Sequence, residues 1–131
     1  MILSHILYLS LMGEGMSIDS IAKQKSMAFA IRIVHLYRYL GEEHHEYVMS
    51  KQLLRSGTSI GANIAEAIYG SSRRDFVAKL QIAEKEAAET LYWLELLNTC
   101  SYIPDKLYLS LRSDCSELLA ILSASIRSSA N

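Results

Sequence analysis

The sequence has few of the residues that interrupt regular structure or crosslink it. Its 131 residues include one proline, six glycines and two cysteines, and aromatic residues make up 8%. So little proline and glycine leaves long uninterrupted segments, and no segment alternates as an exposed-face strand does. Cys100 and Cys115 form neither a disulfide framework nor a CxxC metal motif, so we expect reduced thiols in a cytoplasmic protein.

An excess of charge of either sign is also missing. The chain has 13 Lys and Arg against 14 Asp and Glu, a formal net charge of −1. A domain that binds nucleic acid mainly through the phosphate backbone normally has a clear basic excess. The composition therefore argues against that class of protein. The hydrophobic fraction of 50% predicts one domain with a single core.

The N-terminal segment is ambiguous. Its apolar run, MILSHILYLSLM, has 12 residues and is too short to span a bilayer. It also lacks the basic start and cleavage site of a secretory signal. Residues 1–16 are either a doubtful leader upstream of a native start at Met16, or a short helix that docks on a neighbouring subunit. Both alternatives stay open, and residues 17–131 are expected to form the single domain.

The rest of the chain has apolar residues at helical spacing in four segments joined by short connectors. Short connectors favour antiparallel neighbours, so the predicted fold is all-α, an antiparallel up-down-up-down four-helix bundle. Gly41 is predicted to end the first helix, and Ser72 with Asp75 resembles a capping box. The first predicted helix runs from about residue 19 or 20 to 40, the second over 46–69 and the third over 72–98. The fourth begins at about residue 104 and is expected to fray at its C-terminal end.

The residues predicted to face the core recur every three or four positions. The first helix also has Ile31 and Val34 beside its apolar stripe. The predicted core is Phe29, Ile33, Leu36 and Leu40; then Leu53, Ile60, Ile64 and Ala67 or Ile68; then Phe76, Leu80, Ala83, Ala87, Leu91 and Leu94; then Leu107, Leu111, Cys115, Leu118, Leu122 and Ile126.

Small residues recur every four positions in the second helix, at Gly57, Gly61 and Ala65. Each internal glycine costs about 1 kcal/mol of helix propensity relative to alanine. Close packing of a partner helix would offset that cost. The alternative is a kink around Gly57.

Polar residues also recur at helical spacing, among apolar ones. The functional interpretation is a carboxylate cluster for a metal, but a di-metal site in a helical bundle needs two Glu-x-x-His elements, and the one such spacing lies in a predicted turn. We therefore expect no metal site and a structural network that fixes register. The network is predicted to comprise Arg55, Ser59, Asn63, Glu66, Glu86 and Glu89.

Basic residues cluster at the start of the third helix, at Arg73, Arg74 and Lys79. Cations at a helix N-terminus oppose the helix dipole, which hints at use by a partner such as RNA or an acidic protein. The alternative is a solvated helix end. The histidines and serines show no nucleophile with an activating base, so we expect no enzyme and no cofactor.

Four motifs resemble one protein family: QLLRSGTSIGANIAEA, the SxxDF of Ser72 to Phe76, KLQIAEKEAAET, and YWLELL followed by SYI. They resemble the four-helix-bundle proteins encoded in intervening sequences of bacterial 23S ribosomal RNA genes. The resemblance covers nearly all of residues 23–125 and implies a cytoplasmic homo-oligomer, with a pentamer expected, whose molecular role is largely unassigned.

A relative of that family, the accessory protein of diversity-generating retroelements, is a basic pentamer that works with a reverse transcriptase and RNA. This chain departs from it in its neutral charge, and from the family pattern at Glu84, where an apolar residue is expected. We therefore expect a homo-oligomeric interaction scaffold. The alternative is an accessory protein that binds RNA or DNA through a basic rim.

Overall fold

The computed structural model describes residues 18–129, and these form four α-helices without a β-strand. The all-α prediction is therefore confirmed. The doubtful leader, residues 1–16 with Met16, lies outside the described residues. The helices are α1 (Ile18–His44), α2 (Met49–Ile68), α3 (Arg73–Thr99) and α4 (Asp105–Ser129).

The end of α1 corrects the sequence prediction, because Gly41 lies inside the helix and not at its stop. His45 supplies the left-handed turn with a φ of 51°, and the Glu46 N–H donates to the Leu40 carbonyl at 3.0 Å. Gly41 instead makes room for a ring, since a Cβ there would lie 3.1 Å from Tyr47 Cε1. A small residue needed for packing was thus mistaken for a helix stop.

The start of α2 depends on a residue that the sequence analysis placed inside that helix. Glu46 precedes the helix, and its carboxylate accepts the N–H groups of Val48, Met49 and Ser50 at 2.8–3.1 Å. Burial raises the pKa of Glu46, but these backbone bonds outweigh burial, so the net pKa is lowered. A buried carboxylate therefore caps α2.

The α2–α3 connector agrees with its prediction. The Asp75 N–H donates to Ser72 Oγ at 3.1 Å, as in a capping box. The Asp75 carboxylate accepts from Ser71 Oγ at 2.7 Å, and the side-chain hydroxyls of Ser71 and Ser72 together lower its pKa. Asp75 also complements the positive end of the α3 dipole.

The core agrees closely with the predicted stripes. Phe29, Ile33 and Leu40 in α1 are at most 2% exposed, and in α2 Ala67 is buried whereas Ile68 is 37% exposed. Each fully buried aliphatic side chain contributes about 1.5–3 kcal/mol. Four predicted residues, Phe76, Leu91, Leu107 and Ile126, are only partly buried against the core. Several buried residues were not predicted, among them Ile21, Thr90, Leu97 and Ile121.

Consecutive helices contact each other, and α1 also contacts α4. At the α1–α4 seam, Lys25 pairs with Glu117 at 2.7 Å and Arg32 with Asp114 at 2.6 Å. A later residue of α1 thus meets an earlier residue of α4. The same reversed order holds between α3 and α4, where Cys115 Sγ donates to the Ala87 carbonyl and Ser123 Oγ donates to Glu84 Oε2.

Candidate functional site

The α2–α3 seam carries an ionic cluster at the predicted polar positions. Arg55 Nη1 lies 3.3 Å from Glu86 Oε2, and Nη2 pairs with Glu89. The hydrogen bond to Glu89 is the main cause of the raised pKa of Arg55. The Trp93 indole N–H donates to Glu89 Oε2 at 3.0 Å and lowers the pKa of Glu89. One carboxylate therefore joins a cation on α2 to a ring on α3.

The other predicted polar residues lie outside this cluster. Ser59 Oγ donates to the Arg55 carbonyl at 2.5 Å, and Asn63 Nδ2 donates to the Ser59 carbonyl at 2.8 Å. These bonds stay within α2. Glu66 pairs separately with Lys79 at 3.1 Å. The six residues thus divide into the Arg55 cluster, two bonds to the α2 backbone and one surface ion pair.

A buried polar contact beside the Arg55 cluster was missed by the sequence analysis. Thr90 Oγ1 donates to Ser56 Oγ at 3.0 Å, and both residues are fully buried. Thr90 also lies 2.7 Å from the Glu86 carbonyl. Thr90 follows Ala83 and Ala87 on the core face of α3, and this spacing was the available signal. Register between α2 and α3 therefore depends on a neutral pair as well as on ions.

The glycines of α2 lie against α1 of the same chain. A Cβ at Gly57 would be 2.9 Å from both Cγ1 and Cγ2 of Ile33, whereas one at Gly61 would be 3.2 Å from Ser26 Oγ. Ala65, the third small residue of the strip, is half-buried. The close approach at Gly57 and Gly61 is therefore made by an intrachain helix.

The basic residues of α3 differ in exposure and in their ion pairs. Arg73 and Arg74 are exposed in the first turn, whereas Lys79 is engaged by Glu66. Arg73 also makes an interaction, so it is not a free cation. Lys51 and Arg55 lie in the early turns of α2, about 20–25 Å along the helix from its end, and Arg73 lies beyond that end. The two basic groups therefore do not form one patch on a single protomer.

Catalytic chemistry finds little support in the described part of the chain. Residues 18–129 contain no group of three or more His, Cys, Asp and Glu side chains placed to hold a metal. Cys115 is buried, and burial raises the pKa of its thiol to about 12, so it is a poor nucleophile. Both cysteines are free, and none of the described helices is long and apolar enough to cross a membrane.

A cavity lies where the end of α1 meets the α3–α4 connector. It has a volume of about 470 Å³, and its lining includes Tyr39, His44 and Tyr102. The His44 ring is edge-on to both tyrosines, with centroids 5.4 Å and 5.6 Å away. A smaller cavity between α1 and α4 shares Tyr39 with it.

An exposed apolar strip lies on the outer side of α1. Met27 is 62% exposed and Ile31, one turn later, is 49% exposed, with half-buried Ala30 and Val34 beside them. Residues three and four apart share one face of a helix, so these four side chains form a continuous strip. We call them the α1 strip.

The chain is similar to proteins of one family. The family of 23S rRNA-intervening sequence proteins matches residues 19–124. A solved structure of a protein with unknown function from the S23 ribosomal protein family of Bacteroides thetaiotaomicron is 53% identical. The match covers 85% of this chain and 99% of that one, with a TM-score of 0.84. No curated protein matches the chain.

Proposed function

The chain belongs to the family of 23S rRNA-intervening sequence proteins, and we propose that it is a non-enzymatic, cytoplasmic, homo-oligomeric scaffold, with a pentamer as the assembly. The α1 strip carries this proposal. Met27 and Ile31 expose apolar surface in adjacent turns, and no charged side chain lies between them. Apolar surface contiguous over several residues is typical of interaction sites.

We propose that each protomer is an antiparallel up-down-up-down four-helix bundle. The reversed order of residue pairs at three seams, with Ile33 and Ser26 facing Gly57 and Gly61 in that order, supports it. The connectors of four or five residues support it as well. In such a bundle α1 packs on α2 and α4 through two flanks. The strip then lies on the remaining outer side of α1, where it can pack against a neighbouring protomer.

The strip suits a second protein surface because its cost in water is large. Met27 is 62% exposed and Ile31 49%, so burying the rest of each side chain would contribute about 1–2 kcal/mol. The small side chains of Ala28 and Ala30 beside them allow a neighbouring helix to approach closely. A homo-oligomer repeats the same contact at every interface, which multiplies the gain over the assembly.

The test of assembly is native mass spectrometry of Met27→Glu/Ile31→Glu. The expected result is a shift from a five-subunit mass to monomers, because each interface would bury two unpaired charges. Ile82→Glu is the matched control, since Ile82 is 41% exposed on α3, the helix that packs on α2 and α4. Pentamers of the double variant, with unchanged helicity, would contradict the proposed interface.

The alternative function is an accessory protein for RNA or DNA, which the exposed Arg73 and Arg74 favour. In a ring of five copies these residues would repeat into a basic rim. Native mass spectrometry of nuclease-treated protein, with and without cellular RNA at low salt, tests this alternative. RNA uptake that falls with salt and with Arg73→Glu/Arg74→Glu would support the accessory role. A five-subunit mass without bound RNA would favour the scaffold function.

A further inference from the structure

The cavity at the end of α1 has walls that suit a positively charged ligand. Three aromatic rings, those of Tyr39, His44 and Tyr102, contribute to its lining. The His44 ring is edge-on to both tyrosine rings, at interplanar angles of 71° and 80°, so the three rings form one contiguous aromatic cluster. Cations are attracted to the faces of aromatic rings. The volume of about 470 Å³ falls in the range of small-molecule sites.

The Asn98 amide beside the cavity has its N–H donors engaged, and acceptor oxygens remain next to it. Asn98 Nδ2 donates to the Ile103 carbonyl at 3.1 Å and to Asp105 Oδ1 at 2.8 Å. Both partners are acceptors, so they fix the orientation of the amide. Asp105 Oδ2 makes no hydrogen bond within the described residues, and the amide oxygen of Asn98 is also left as an acceptor. A ligand that brings positive charge or donors fits these groups.

The backbone holds this cavity in a fixed shape. Ser101 ends α3 in the left-handed region with a φ of 67°, and the Tyr102 N–H donates to the Leu97 carbonyl at 2.8 Å. Non-glycine residues seldom adopt this conformation, and such positions cluster at ligand sites. The C-terminal dipole of α3 and the N-terminal dipole of α4 meet here and offset each other. Among the residues that line the cavity, Asp105 supplies a formal negative charge.

We propose that this cavity binds a small organic cation with an alkylated ammonium group. The ammonium group lies against the rings of Tyr39 and Tyr102, and the Asp105 carboxylate balances its charge. The Asn98 amide holds that carboxylate in place. The cavity and the α1 strip share no residue, so this binding site does not depend on the scaffold proposal.

A matched pair of ligands tests the charge requirement. Choline and its neutral carbon analogue, 3,3-dimethylbutan-1-ol, have nearly the same shape, so a difference between them reports the positive charge. Protein-observed NMR titration should give a choline Kd at least fivefold below that of the alcohol. The side-chain amide signal of Asn98 and the ring signals of Tyr39 and Tyr102 should shift. Equal affinities, or shifts confined to other residues, would overturn the proposal.

Variants test the residues. Asp105→Asn keeps the shape and a hydrogen-bonding group for Asn98, and it should weaken choline binding at least fivefold while leaving the alcohol unchanged. Tyr102→Leu removes one ring and should also weaken choline binding. Glu66→Gln is the control, because it removes the same charge from a residue on α2 that does not line the cavity. Choline binding unchanged in Asp105→Asn, with a native spectrum, would refute the role of the carboxylate.

Discussion

The contact between Gly57 and Ile33 gives the sharpest prediction about packing. Gly57→Ala should gain about 1 kcal/mol of helix propensity. The new Cβ, however, would lie 2.9 Å from two carbon atoms of Ile33, which is fully buried and has no free direction in which to move. Overpacking of this kind costs about 1–3 kcal/mol. We expect Gly57→Ala to be destabilising overall, by about 1 kcal/mol once the propensity gain is subtracted.

Gly61→Ala is the matched control on the same helix. Its Cβ would meet the Ser26 hydroxyl at 3.2 Å, and Gly61 is only half-buried, so a small shift relieves the contact. The gain in propensity then remains, and Gly61→Ala should be neutral or stabilising. Larger side chains remove this distinction, and Gly61→Leu should disrupt the packing of α2 on α1. Urea denaturation at one fixed protein concentration measures each free energy of unfolding.

A double-mutant cycle separates the clash from any general intolerance at Gly57. Ile33→Ala removes both Cγ atoms that the new Cβ would meet, and by itself should cost about 2–5 kcal/mol as a cavity. In that background Gly57→Ala should become neutral or stabilising, because the two 2.9 Å contacts are gone, the Cβ of residue 33 lies 3.3 Å away, and the propensity gain survives. The same loss of stability in both backgrounds would refute the proposed cause.

Three further predictions concern buried groups. Glu46→Gln should cost about 1–3 kcal/mol near neutral pH, because a charged acceptor of three N–H groups is lost. Since the folded pKa of Glu46 is lowered, its stabilisation is present above the unfolded pKa and lost as the pH falls through the folded value. In thermal melts, the difference in melting temperature between wild type and variant should therefore decrease from pH 7 to pH 3. A difference that stays constant would contradict the proposed role of Glu46 as a cap. Thr90→Val should lower the free energy of unfolding in urea by about 1 kcal/mol, because it removes the bond to Ser56. Thr90→Ser keeps the hydroxyl and should retain much of that stability. An aromatic disulfide reagent should label exposed Cys100 in the native protein and Cys115 only after unfolding, and equal labelling rates would exclude the burial described here.

Most of the fold was predictable because its signals are local. The apolar spacing of α1 identified Phe29, Ile33 and Leu36, and Ser72 marked the start of α3. Helix ends were less predictable, because the structure uses non-glycine residues for both left-handed turns, at His45 and Ser101. Those conformations are imposed by backbone hydrogen bonds from the following residues to the preceding helix, and residue type alone does not reveal them.

The candidate sites were harder to predict because they depend on distant parts of the chain. Arg55 and Glu89 lie 34 residues apart, and only the packing of α2 on α3 brings them together. Helical spacing placed Ser59 and Asn63 on the same line as Arg55, although their side chains bond to the α2 backbone. Serine and asparagine have such local options, whereas long charged side chains reach across a seam. Side-chain length, rather than polarity, therefore decides which of these residues bond across the seam and which bond to their own helix.

The α1 strip also bears on how an assembly would hold together. Association of two proteins costs an estimated 4–15 kcal/mol before any gain is counted. Burying the exposed parts of Met27 and Ile31 would return about 2–3 kcal/mol, so the strip from one protomer meets only part of that cost. The partner's surface must therefore bury apolar area of its own against the strip. Polar substitution of Met27 or Ile31 singly should then be enough to shift the assembly toward monomers, because the remaining margin is small.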